Sequence, residues 1–263
     1  MKIACGVEYL GSQYSGWQRQ NHASSVQEKI EQVLSQISDQ KINIICAGRT
    51  DRGVHATNQV IHFETENKRP LKAWLLGANG LLPKDIKLTW AKEVNQSFHA
   101  RFSAKWRHYR YIIYRRNISS AILNPLTTWV YEKLDVKAMC DATSYLLGEQ
   151  DFSSFRAAEC QSHSSFRRID EVKLYQENAF LIFEIKGNAF LHHMVRNIVG
   201  TLLEIGIGKH RSEWIKELLA LKDRTKAGKT APASGLYLVD VGYDDEFLLP
   251  KLELGPEFLH AKG

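Results

Sequence analysis

No run of about 18 apolar residues occurs anywhere in this 263-residue chain, so no segment is long enough to cross a bilayer as a helix. The opening Met1-Lys2-Ile3-Ala4-Cys5 enters a strand pattern at once, without a charged and then apolar leader. Neither a secretory signal nor a membrane partner is expected, and the protein is expected in the cytoplasm. Cysteine is scarce. Cys5, Cys46, Cys140 and Cys160 are widely spaced with no CxxC pair, which excludes a zinc ribbon and a disulfide framework and predicts free thiols. Cys160 and His163 form a solitary CxxH, too few ligands for a site, so no metal is expected. A nucleotide-hydrolysing P-loop is missing as well. Gly48 to Gly53 has the glycine spacing, but Val54-His55 stand where Lys and Ser or Thr are required.

Positive charge is in excess. The chain carries 35 Lys and Arg against 29 Asp and Glu, a net charge of +6, which suits a polyanionic partner. The excess is concentrated where Arg101, Lys105, Arg107, Arg110, Arg115 and Arg116 interleave with Phe102, Trp106, Tyr109, Tyr111 and Tyr114. Basic groups that neutralise phosphates beside rings that stack on bases are what an unpaired or flipped nucleotide requires. An aromatic strand with a solvated charged face has the same composition.

Hydrophobic periodicity gives two halves of similar order. In the first, Ile3, Cys5, Val7 and Tyr9 alternate as a strand, and Ser25 with Glu28 forms a capping box before a helix with Val26, Ile30, Val33, Leu34 and Ile37 on one face. Strands at Ile42 to Cys46 and Gln59 to Glu64, a helix opened by Pro70 and a strand through Ile86, Leu88, Trp90 and Val94 follow. The second half has a strand at Arg107 to Tyr114, a helix capped by Asp135 and stopped near Gly148, strands at Arg168 to Tyr175 and Phe180 to Gly187, helices at Leu191 to Ile205 and Trp214 to Leu221, and a strand from Leu236 to Tyr243. The order is β-α-β-β-α-β twice, an α+β fold of two ferredoxin-like domains, 1–100 and 101–263. No sequence repeat accompanies it.

The candidate catalytic segment is Ala47-Gly48-Arg49-Thr50-Asp51-Arg52-Gly53-Val54-His55-Ala56, a glycine-bracketed loop that places one carboxylate between two arginines and joins two strand patterns. A rigid sheet would aim Asp51 from such a connection, although Asp two residues before Gly is also ordinary turn chemistry.

These ten residues closely resemble the active-site motif of the TruA family of tRNA pseudouridine synthases. Further stretches resemble the family in order along nearly the whole chain: Tyr14-Ser15-Gly16-Trp17-Gln18-Arg19-Gln20 with Ser25-Val26-Gln27-Glu28, Phe98-His99-Ala100-Arg101-Phe102-Ser103-Ala104 leading into Arg107-His108-Tyr109-Arg110-Tyr111, Phe190-Leu191-His192-His193-Met194-Val195-Arg196-Asn197, and Ser234-Gly235-Leu236-Tyr237-Leu238. The visible departure is Arg52, where the family usually carries a small residue.

The resemblance implies two ferredoxin-like domains sharing a mainly antiparallel sheet with the active-site cleft between them, assembled as a homodimer. The implied activity is isomerisation of uridine to pseudouridine in the anticodon stem and loop of tRNA, at positions 38, 39 and 40. It implies Asp51 as nucleophile, Arg196 as its guanidinium partner, Tyr109 against the flipped uracil, and substrate contacts at Arg49, Arg52, His55, Arg107, Arg110 and Leu236. The chemistry breaks the N1 to ribose bond and joins C5 to the same carbon, so it calls for no cofactor. A carboxylate ionised at neutral pH can attack either C1′ or C6. The helical pattern alone reads Arg196 as part of a solvated face, since Leu191, Met194, Val195, Ile198, Leu202 and Ile205 form the apolar stripe. His192 and His193, if helical, would point about 100° apart and could not act as an i, i+4 metal pair. The rival reading is a noncatalytic RNA-binding module of the RNA-recognition type, which shares the ferredoxin-like order but whose aromatic RNP1 pattern is not evident.

Overall fold

The computed structural model describes residues 1–259. In chain order they form β1 (Lys2–Tyr9), α1 (Val26–Ser38), β2 (Ile45–Cys46), β3 (His55–Glu64), α2 (Ala78–Leu81), β4 (Ile86–Val94), β5 (Trp106–Arg115), β6 (Thr128–Val130), α3 (Val136–Thr143), β7 (Gly148–Asp151), β8 (Phe166–Glu177), β9 (Phe180–Gly187), α4 (Met194–Gly206), α5 (Trp214–Leu221) and β10 (Leu236–Gly242). The chain divides into two compact units, one of Met1–Arg107 with the segment from Tyr237 on, the other His108–Leu236. Among the described residues no helix is long and apolar enough to cross a membrane. All four cysteines are free.

In the first unit β1 lies between β4 and β3, antiparallel to both, and β2 runs alongside β3. This is the expected β-α-β-β-α-β order. The final strand β10 also belongs here, because it runs parallel to β3 with Tyr237 opposite His55. Helix α1 starts where its capping residue predicts: Ser25 Oγ accepts the Glu28 N–H at 3.3 Å, and Val26, Ile30, Val33 and Leu34 are buried. The segment after Pro70 departs from a regular helix, passing through a wide π turn at Ala73–Gly77 before α2. Trp74 sits in that turn, fully buried, 5.1 Å from the ring of Phe63. The strand expected from Ile42 is regular only at Ile45–Cys46, and the one expected from Gln59 extends back to His55.

In the second unit the strand order is β5-β9-β8-β7, with β6 parallel to β5 and the β8–β9 and β7–β8 pairs antiparallel. Asp135 caps α3 by accepting the Ala138 N–H at 2.9 Å, and α3 packs on β8 and α4. The alternation that would leave one face of β5 in solvent is not what the structure shows. Every residue from His108 to Ile113 is buried, including His108 and Arg110.

Those polar side chains are buried as one network. Arg110 Nε donates to Glu184 Oε1 at 2.7 Å, the Tyr175 hydroxyl donates to the same oxygen at 2.7 Å, and His108 Nε2 lies 3.4 Å from Glu184 Oε2. Burial by itself would push the Glu184 carboxyl up. Hydrogen bonds from His108 and Tyr175 and the charge of Arg110 outweigh it and hold the group at about 2. A folded value below the ordinary 4.5 means the stabilisation is complete above that pH and is lost as pH falls toward about 2. Glu184→Gln should therefore cost about 3 to 5 kcal/mol at neutral pH, because Arg110 keeps its charge in a site that has lost its counter-charge. Denaturant unfolding across that acid window should show a steep loss for the wild type and a flatter one for the variant. Equal slopes would remove Glu184 from the network's energetics.

Candidate active site

In the first unit Asp51 sits on the loop between β2 and β3, and the loop owes its shape to side chains that consume its peptide groups. The buried Gln59 amide brackets Gly48, accepting its N–H at 3.3 Å and donating to its carbonyl at 2.5 Å. Arg107 donates to the Ala47 carbonyl from Nη2 at 2.8 Å and also reaches the carbonyls of Arg101 at 2.8 Å and Ala104 at 3.2 Å. The Trp17 N–H donates to the Thr50 carbonyl at 3.0 Å, and Thr50 Oγ1 is 2.7 Å from the Tyr9 hydroxyl. The Val54 N–H closes the turn on the Asp51 carbonyl at 3.1 Å.

Glycine is required at one contact in particular. Gly16 has φ of +98°, and a Cβ there would stand 2.9 Å from the Thr50 carbonyl oxygen. The result is a half-buried Asp51 side chain flanked by the exposed Arg49 and Arg52.

His55 follows this loop as the first residue of β3. It is fully buried, its Nδ1 accepts the Gly11 N–H at 3.0 Å, and its ring is 4.7 Å from that of Tyr237. Acceptance at Nδ1 fixes that nitrogen as the unprotonated one. Arg107 therefore shapes the loop, whereas His55 anchors Gly11, and the His55 side chain has no solvent face.

In the second unit Tyr109 is buried on β5 with its ring edge-on to Phe190 at 4.9 Å and 77°. Arg110, one residue on, is the partner of Glu184. Leu236 is buried at the start of β10. Arg196 occupies the first turn of α4, and this helix is buried almost all round, so the side chain is half-buried and not part of a solvated face. Its Nε donates to the Ala231 carbonyl at 2.9 Å, and its own carbonyl accepts the Ala231 N–H at 3.1 Å. The helix begins at Met194, not Leu191, because His193 has φ of +60°. His192 and His193 thus precede the helix, and their rings come within 4.1 Å instead of diverging.

Residues assigned no role from the sequence do further positioning. Asn197, fully buried, donates to the Phe155 carbonyl at 2.8 Å and accepts from Arg224 at 3.0 Å and Thr230 at 2.7 Å, tying two loops to α4. The Tyr111 hydroxyl holds the same segment through the Pro232 carbonyl at 2.8 Å. Gly16 and Asn197 stood within recognised motifs, but Gln59 and Arg224 carry no local signal, since their partners Gly48 and the Asn197 side chain are brought near only by folding.

A sequence model of the tRNA pseudouridine synthases matches residues 6–103 and 142–244. The chain belongs to the tRNA pseudouridine synthase family. It is similar to proteins named tRNA pseudouridine synthase A in Aliivibrio fischeri strain MJ11, at 53% identity over 98% of this chain and 99% of the relative. The same name is borne by relatives in Colwellia psychrerythraea, at 52% identity over 98% and 100%, and in Enterobacter sp. strain 638, at 54% over 98% and 96%. Family membership makes the chain an isomerase that converts uridine to pseudouridine, and it does not favour the noncatalytic RNA-recognition reading. Within this synthase, Gly16→Ala should displace Thr50 and Asp51 by pressing a methyl group on a carbonyl. Turnover should fall at least tenfold while the far-ultraviolet circular dichroism of the protein stays unchanged, and wild-type turnover would show that the loop does not depend on this contact.

Proposed function

We propose that this synthase isomerises uridine to pseudouridine in the anticodon stem and loop of tRNA, at positions 38, 39 and 40, with Asp51 as nucleophile. The observation that carries the reading is the presentation of Asp51: a half-buried carboxylate on a loop whose peptide groups are held by Gln59, Arg107 and Trp17, between two exposed arginines. In the proposed reaction the carboxylate attacks C1′, displacing uracil, or adds to C6. The base turns over, C5 bonds to C1′, the bond to Asp51 breaks, and the proton on C5 leaves for the base nitrogen by way of solvent or a side chain. No electron is gained or lost, so no cofactor takes part.

Arg196 is the proposed partner that favours the ionised form of Asp51. Tyr109 is assigned to the flipped uracil, its ring against the base and its hydroxyl at the reacting edge. Arg49 is assigned to the gap left by base extrusion and to a phosphate, and Arg52 to a second phosphate. Leu236 is assigned to the wall of the uracil site. Arg107 holds the Asp51 loop through the Ala47 carbonyl, His55 holds Gly11, and Arg110 braces the strand of Tyr109. The enzyme is proposed to act as a homodimer in the cytoplasm.

Asp51→Asn retains shape while removing the charge. Incubation with unmodified tRNA followed by mapping of pseudouridine should show no product with this variant, while tRNA binding and folding persist. Near-normal turnover would dismiss Asp51 as nucleophile, and an unfolded variant would support a turn-forming role. Turnover of many equivalents of tRNA by the wild type separates the enzyme from a binding module, which saturates at one.

Tyr109 has two assigned jobs that can be removed separately. Tyr109→Phe keeps the ring, and single-turnover rates should fall by about 10² to 10⁴ with little change in tRNA affinity if the hydroxyl takes part in moving the C5 proton. Tyr109→Ala should also lose about 1 to 3 kcal/mol of base interaction. Wild-type rates for Tyr109→Ala would exclude Tyr109 from the site.

A further inference from the structure

On the second unit a cleft of about 460 Å³ opens beside the first turn of α4, and its lining includes His193, Arg224, Thr225, Lys229 and Thr230. Arg224 is half-buried, and all of its hydrogen bonds go to neutral groups: Nη2 to Asn197 Oδ1 at 3.0 Å and Thr230 Oγ1 at 3.1 Å, Nη1 to the Ala227 carbonyl at 3.3 Å. Among the described residues no carboxylate forms an ion pair with it. The acids nearby are engaged elsewhere. Asp223 accepts the Thr225 N–H at 2.8 Å and its hydroxyl at 2.7 Å, and Glu204 accepts the Lys229 N–H at 3.2 Å and faces His210 at 3.8 Å.

An arginine withdrawn from water without a counter-charge is costly, and burial here works against the charged form. Two glycines show that the position is built. A Cβ on Gly200 would stand 1.7 Å from the Lys229 carbonyl oxygen, and one on Gly228 would stand 2.7 Å from Thr201 Cα, so the loop lies flush on α4 and the cleft floor is fixed. What the cleft lacks is a negative charge, and a planar guanidinium beside an ammonium matches a phosphate group.

We propose that this cleft is a phosphate subsite that takes a backbone phosphodiester of the tRNA substrate, with Arg224 and Lys229 as its cations. A polymer is the favoured source because exposed Lys226 continues the positive surface along the loop beside Lys229, while Lys222 is paired with Asp151 at 3.2 Å. The proposal rests on tRNA being the substrate.

Measuring tRNA dissociation constants against salt in an Asp51→Asn background tests it without interference from turnover. Arg224→Met should weaken binding about tenfold at low salt and flatten the log–log salt slope by roughly 0.7 to 0.9, the share of one phosphate. Lys229→Met should move both in the same direction by a smaller amount, and it keeps the test open if Arg224→Met fails to fold. Lys209→Met, on an exposed lysine outside the cleft, should move neither. Unchanged slopes for both cleft variants would overturn the subsite. So would a fall in single-turnover rate of Arg224→Met in the Asp51 enzyme with affinity intact, which would make Arg224 a brace of Arg196. Titration with inorganic phosphate supplies the other arm: millimolar binding abolished by Arg224→Met is expected, whereas micromolar binding with an unchanged tRNA slope would assign the cleft to a small phosphate compound. Failure of the Asp51→Asn parent to bind tRNA at all would count against the proposed function and not against the cleft alone.

Discussion

A loop without regular structure can hold a carboxylate in one place only if its peptide groups are satisfied, and everything at Asp51 depends on that constraint. Gly48 is satisfied by Gln59, Ala47 by Arg107 and Thr50 by Trp17, three partners from separate parts of the first unit. The close passage of Gly16 against Thr50 is a consequence, since Trp17 can deliver its N–H only if the residue before it has no side chain. The buried histidine that follows the loop extends the logic, because His55 uses its ring nitrogen to fix the main chain at Gly11.

The second unit solves the same problem with a helix. Arg196 is held from both ends by the Ala231 peptide, and Ala231 is held by a loop that Asn197, Arg224 and Thr230 fasten to α4. Small residues again make the approach possible, here Gly200 and Gly228. Both loops are thus stiffened by hydrogen bonds to main chain and by missing Cβ atoms, a device that leaves the charged side chains they carry available for other work.

Charge is partitioned in a way composition does not show. The basic aromatic stretch reads as a single nucleic-acid surface, yet its members divide into different tasks. Arg110 is spent on Glu184 inside the second unit, and Arg107 on three carbonyls of the first. Arg101 remains exposed beside Phe102, with its guanidinium 5.5 Å from the ring centroid. The glutamate that Arg110 meets is 74 positions away and the Ala47 carbonyl that Arg107 meets is 60 positions away, separations no local pattern spans.

The sequence by itself determined the strand and helix order of the first unit, the caps at Ser25 and Asp135, the glycine-bracketed Asp51 loop, and the motifs that mark the family, because these follow from local periodicity, capping chemistry and short spacings; the short strands β6 and β7 of the second unit carry no such pattern. It did not determine that both faces of β5 are buried, that α4 begins after a left-handed His193, or that the chain's last strand groups with its first unit. Nor could it separate the arginines that build the protein from those that face outward. Those outcomes rest on long-range partners. A buried polar side chain must find its counter-charge or its carbonyl wherever the fold provides one, and only the tertiary structure places that partner within hydrogen-bond distance.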